Sequence, residues 1–127
     1  MYNIEDDTVK NKNFRRGVVH GENSQLVLMS LRPREEIGDE THTLDQFIRV
    51  EAGSGVAILD RVEHKISDGT AVVIPAGTKH NIINNSDRDE LKLYTVYSPP
   101  EHRDGTIHKT KADALAREEH FDGKTTE

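Results

Sequence analysis

The sequence predicts an all-β barrel, and three observations carry that prediction. Short apolar, β-branched runs recur between about residues 14 and 97, and Gly, Asp, Asn or Ser turns separate them. Residues 69–84, GTAVVIPAGTKHNIIN, join two such runs through a Pro- and Gly-containing turn. The 127 residues suffice for one domain with one core, and only fifteen of them separate Gly53 from Gly69, room for a single hairpin and no inserted lid.

Residues 1–13 are polar and read as a loosely held arm. FRRGVVH, residues 14–20, is expected to be a first edge strand with its Arg residues facing water. QLVLMSL, residues 25–31, is apolar on both faces, Leu26 and Leu28 against Val27, Met29 and Leu31. One of those faces needs cover beyond the barrel interior, and TAVVI, residues 70–74, shares this two-sided character. The expected cover is a second subunit, hence a homodimer. Further strands are expected at 46–50, 56–60, 62–66, 80–83 and 91–97. Asp68-Gly69 forms the turn before the buried run 70–74, and Ile74-Pro75-Ala76-Gly77 suits a type I turn that delivers His80 to a strand start.

Past Pro99-Pro100 the composition turns polar, so residues 101–127 read as a tail appended to a barrel core of about 14–100, all within one domain, 1–127. Thr110 and Asp113 resemble an N-terminal capping pair for a short helix from Lys111 to about Glu119, with Ala112, Leu115 and Ala116 as its apolar stripe. Phe121 is the one sizeable apolar group beyond it.

Net charge is −6, with 17 basic residues scattered among 23 acidic ones. No basic cluster offers a footprint for nucleic acid or an anionic membrane, and neither is expected as a partner. With no Cys, disulfides, thiolate ligands and a Cys nucleophile are excluded. The N-terminal stretch lacks an apolar signal region and no apolar run reaches membrane-spanning length, so a cytoplasmic location is the expectation. Ser-His-Asp, P-loop and dinucleotide patterns are absent.

Gly69, Pro75, Gly77, His80 and Asn84 stand at the spacing of the second sequence motif of the cupin superfamily. Five fixed positions arise by chance on the order of once in 10⁷ windows, so the match is not coincidence. The first cupin motif, with two His one residue apart, then a Glu and a closing Gly, resembles GDETHTLDQFIRVEAGSG. Here His42, Gln46 and Gly53 keep the spacing of the second His, the Glu and the Gly, while Glu40 stands at the first His. The leading Gly would fall at Arg34 and is absent; Gly38 is available for the bend. The resemblance spans roughly residues 25–99 and implies a double-stranded β-helix, or jelly-roll, barrel.

The resemblance implies a metal site at Glu40, His42, Gln46 and His80. Three imidazoles and a carboxylate offer one negative charge to a divalent ion, and so does this set, because Gln is neutral. Glu40, His42 and Gln46 share parity and would face one side of a strand. Glu40, His42 and His80 also form a two-His-one-carboxylate set, a type that leaves coordination positions open, with Gln46 as a fourth ligand or a hydrogen-bonding neighbour. Fe, Mn, Ni, Co and Zn all suit such mixed ligands. The alternative is a barrel that has kept the motif glycines and lost its metal.

The other histidines carry blander expectations. His64 reads as a core histidine; His102, His108 and His120 as exposed; and His20 as uninformative. Tyr94 and Tyr97 must point to opposite faces of their strand, one of them toward the pocket, and Arg49 and Lys92 read as solvated. The chain is similar to small stand-alone bacterial cupins, including those labelled mannose-6-phosphate-isomerase-like. That similarity implies a metal-dependent enzyme of isomerase or dioxygenase type on a small oxygen-rich metabolite, or a pocket that binds or senses a metabolite without catalysis.

Overall fold

The computed structural model describes residues 1–103 and 105–116. The element order is α1 (Ile4–Lys10), β1 (Arg15–His20), β2 (Gln25–Leu31), β3 (Asp45–Ala52), β4 (Ser54–Leu59), β5 (Val62–Ser67), β6 (Ala71–Ile74), β7 (His80–Ile83), β8 (Leu91–Ser98), β9 (Ile107–His108) and α2 (Lys111–Ala116). A six-stranded sheet runs β6-β3-β8-β2-β1-β9 and a three-stranded sheet runs β5-β4-β7, all pairs antiparallel. The expected jelly-roll architecture is thus present, with the core between the two sheets.

Strand register explains which end of that interior is chemical. On the large sheet, Leu31 pairs with Leu91 and Met29 with Leu93, which in turn faces Val50, so this end is packed with aliphatic groups that are essentially fully buried. Two rows further along, Gln25 pairs with Tyr97, Tyr97 with Gln46, and Gln46 with Ile74. The interior therefore turns polar at that end while staying buried.

The motif residues divide by physical role. Gly69 (φ 88°) and Gly77 (φ 85°) adopt left-handed conformations that L side chains resist. Each is the third residue of a turn, closed by Thr70 N–H to Ser67 O (2.8 Å) and Thr78 N–H to Pro75 O (3.1 Å). The second turn thus starts at Pro75, one residue later than expected, and takes the positive φ of a type II turn. Asn84 is completely buried and donates to the carbonyls of Leu31, Arg32 and Asp89 while accepting from Ser86 N–H. It ties the end of β2 to the loop before β8, satisfying carbonyls that would otherwise be buried unpaired.

Several expectations need correcting. The N-terminal arm contains a helix: Asn3 caps α1 by accepting from Asp6 N–H, and Glu5, Asp6 and Asp7 suit its positive end. This helix lies against β2, β3 and β8. Part of the outer face of QLVLMSL is therefore covered by the chain itself, and Leu28 is buried without a second subunit. Lys92, expected in solvent, is buried under the end of that arm and donates to Asn11 O, Ser30 Oγ and Glu90. Strand β6 is only partly buried: it is a sheet edge with Val73 65% exposed, and Ile74 alone of its residues is fully buried.

The tail is no simple appendage. Its strand β9 pairs outside β1, so β1 is not an edge, and Arg15 is buried opposite Met29 and His108. His108 is buried too, against the expectation of exposure, whereas His64 is exposed on the edge strand β5 and is no core histidine. Thr110 caps α2 by accepting from Asp113 N–H, as expected. The buried residue of α2 is Ala114, not Ala112, Leu115 or Ala116. The remaining part of the expected helix, Phe121 and His120 lie outside the described residues.

Candidate metal centre

Glu40, His42 and His80 come together. Each offers one ligand atom, and these atoms lie within 4.8 Å of one another. The parity argument reached this grouping by a route the fold does not take, because β3 begins only at Asp45 and residues 40 and 42 precede it. Glu40 instead forms an isolated antiparallel bridge with His80, each backbone N–H donating to the other's carbonyl at 2.8 and 2.9 Å. The bridge fixes two of the three side chains relative to each other. Gly77 N–H donates to His42 O at 2.8 Å, so the same Pro75–Thr78 turn that starts β7 anchors the third.

Hydrogen bonds orient the ring nitrogens. His80 Nδ1 lies 2.9 Å from Thr78 O, which makes Nδ1 the protonated nitrogen and leaves Nε2 as the lone-pair donor. His42 Nε2 lies 2.6 Å from Glu40 Oε2, and its Nδ1 is 3.8 Å from a Glu101 carboxylate oxygen. Gln46, buried on β3 beside Tyr97, donates its amide N–H to Thr95 Oγ1 at 3.0 Å, and its Oε1 is buried with no hydrogen-bond partner among the described residues. An orphaned buried amide oxygen costs stability unless something else satisfies it.

Donors about 2.1 Å from a common ion are separated by roughly 3 to 4.2 Å. The spread of the three donor atoms is close to that, and the donor chemistry of a carboxylate, two imidazoles and an unsatisfied amide oxygen suits a divalent ion. The residues present therefore fit the group that the cupin resemblance implies.

The site opens into a cavity of about 310 Å³, lined among others by Arg15, Ile37, Glu40, His42, Glu101, His102, Lys111 and Ala114. Tyr97 is the inward tyrosine: its ring meets those of His42 (6.0 Å) and His102 (5.2 Å), while Tyr94 packs on Phe47. Burial pushes the Tyr97 hydroxyl well above its ordinary titration range, so it stays a neutral donor. His102, expected to be exposed, is half-buried on this cavity wall, and Arg15, expected to face water, lines it too; Glu101 was not singled out by sequence reasoning. Parity within β1 would have found Arg15 once β2 was known as its partner; for Glu101 and His102, only the return of the chain after Pro100 reveals them.

Electrostatics couple Glu40 and His42. Burial raises the Glu40 carboxyl, but the His42 hydrogen bond and the charges of His42, Arg15 and His80 outweigh it and hold the carboxyl below its ordinary value of 4.5. The Glu40 hydrogen bond raises His42 above 6.5, against burial. In metal-free protein, His42 thus contributes stability fully below pH 6.5 that is lost as pH rises through its raised value, and Glu40 contributes stability above pH 4.5 that is lost on acidification. The pair is expected to stabilise most between these values. Urea midpoints of apo protein across pH, compared with His42→Gln, should differ most in that window; parallel profiles would contradict the coupling.

The cupin domain family matches residues 27–97, more than half the chain. The chain is 43% identical to the uncharacterized protein YrkC of Bacillus subtilis strain 168, over 94% of this chain and 67% of that protein. It is 46% identical to the uncharacterized protein L612 of Acanthamoeba polyphaga mimivirus, over 84% and 69% respectively. The crystal structure of BH2720 from Bacillus halodurans is similar with a TM-score of 0.89 and 44% identity, covering 92% of this chain and 93% of that one. These likenesses carry the superfamily and not a mannose-6-phosphate-isomerase-like subtype. Domain match, relatives and two-sheet architecture agree: this chain belongs to the cupin superfamily.

Proposed function

We propose that this cupin binds a divalent metal ion through Glu40, His42 and His80, with Gln46 Oε1 as a further donor, and is an enzyme acting on a small oxygen-rich metabolite. The observation that carries the reading is the convergence of one carboxylate and two imidazoles within 4.8 Å, with Glu40 and His42 of that set lining an accessible cavity. When bound, the ion supplies Lewis acidity toward a chelating oxygen pair, or oxygen activation if it is redox-active.

The chain's own residues supply orientation and proton handling. Thr78 O holds the His80 ring, and Thr95 holds Gln46 with its oxygen turned away from that bond. Glu101 and His102 stand on the cavity wall, where each can take or return a proton on a bound ligand. Tyr97, fully buried, and Ile37, partly buried against the core, supply apolar surface at the polar end. Glu40 and His42, which share a hydrogen bond at 2.6 Å, would both hold the ion, and giving up that shared proton would make metal binding stronger as pH rises.

The protein is also proposed to work as a homodimer in the cytoplasm. Support for the dimer comes from the outer face of the large sheet, where Val73, Phe47, Val96, Leu26 and Val19 are cross-strand neighbours in one row, none of them among the buried residues. The second reading is a pocket that binds a metabolite without converting it.

Incubating manganese- or iron-loaded protein with a panel of hydroxy-ketones and enediols, with and without oxygen, decides between the two. Conversion by wild type that is lost in His80→Ala supports the enzyme. Ligands that raise the melting temperature and emerge unchanged establish the binding reading instead.

A further inference from the structure

Arg15 is only 8% exposed, yet it lies on the wall of the cavity that holds Glu40 and His42. Its guanidinium carries five N–H donors. One terminal nitrogen lies 3.3 Å from His108 Nδ1, and Nε is buried with no hydrogen-bond partner among the described residues. Among the described residues no carboxylate comes within ion-pair distance of it. A buried cation left so poorly matched is costly unless an anion completes it.

Formal charges around the cavity point the same way. With a divalent ion in place, Glu40 offsets one of its charges, Glu101 offsets a second, and Arg15 and Lys111 remain as excess positive charge on the wall. A neutral ligand would leave that excess uncompensated. The planar guanidinium fork also matches a carboxylate in shape, two N–H groups to two oxygens, which an ammonium cannot do. His108 engages one terminal nitrogen and the Phe14 ring lies 5.4 Å from the guanidinium carbon, which leaves further donors available on a residue that lines the cavity.

We propose that the ligand of this site carries a carboxylate group and that Arg15 is the residue selecting it; this deepens the metal-site reading above and rests on it. The carboxylate end would sit on Arg15 while oxygen atoms next to it reach the Glu40, His42 and His80 cluster.

The test pairs lactate with lactamide, which differ in charge and little in shape. Manganese-loaded wild type, Arg15→Gln and Arg15→Lys are titrated with both probes, and the metal content of each sample is measured. Wild type should prefer lactate by about tenfold or more, as a charge-assisted bidentate contact warrants. Arg15→Gln should lose the preference at unchanged metal content, and Arg15→Lys should keep only part of it. Equal binding of the two probes by wild type, or no binding of either at millimolar concentration, would overturn the proposal even if Arg15→Gln fails to fold. If the protein takes up no manganese, iron, cobalt, nickel or zinc, the metal reading fails by itself. The same titration on apo protein then decides the anion site, an Arg15-dependent lactate preference supporting it and its absence refuting it.

Discussion

Gly53→Ala is expected to lower the unfolding free energy by about 3 kcal/mol, the largest loss we expect from adding a single methyl group. Gly53 joins β3 to β4 with φ 88°, a left-handed conformation that costs a non-glycine residue roughly 1–2 kcal/mol. A Cβ there would also stand 2.4 Å from the backbone oxygen of Glu90, a contact that only backbone movement can relieve. Such overpacking adds about 1–3 kcal/mol. Gly69→Ala and Gly77→Ala meet open space and should cost only the conformational part. Urea denaturation of the three variants measures the difference. A Gly53→Ala midpoint equal to that of Gly69→Ala would show that the close approach to Glu90 is not a real constraint.

His80→Ala is expected to weaken metal binding by at least about 100-fold while leaving the metal-free fold nearly as stable as wild type. Loss of a hydrogen bond that merely orients a ligand costs about 10–100-fold in metal affinity, and removing the ligand itself should cost more. The fold should survive because the bridge to Glu40 uses only the backbone of residue 80, which alanine keeps. What is lost is one side-chain bond to Thr78 O, worth about 1 kcal/mol, together with the ring contact to His42 at 5.3 Å. Competition against a metallochromic indicator reads the affinity, and a thermal melt of the apo form reads the fold. Unchanged affinity would remove His80 from the site; a collapsed apo fold would mean the residue is primarily structural.

Much of the barrel was legible because burial on one face imprints a period of two, and turn chemistry marks where each run stops. The strands at Gln25–Leu31 and His80–Ile83 were predicted residue for residue, and the run at 91–97 nearly so. Less visible were features that depend on a distant partner. Arg15 and Lys92 look solvated by composition, and only the pairing of β1 with β9 and the packing of α1 on the sheet bury them. His64 failed in the opposite sense, since inward parity on an edge strand does not guarantee burial. The grouping of Glu40 with His42 and His80 was legible from motif spacing, but its physical cause, a bridge between residue 40 and residue 80, is a long-range contact that parity along one strand cannot express.

The same long-range contact brings the candidate ligands together, so the claim that rests on it is open to direct measurement. Elemental analysis of untagged wild-type protein, purified without chelators, should find close to one divalent ion per chain, with Glu40→Ala and His80→Ala depleted. Protein that carries no metal, and takes up none of manganese, iron, cobalt, nickel or zinc when each is offered, would contradict the metal centre and leave a ligand-binding barrel.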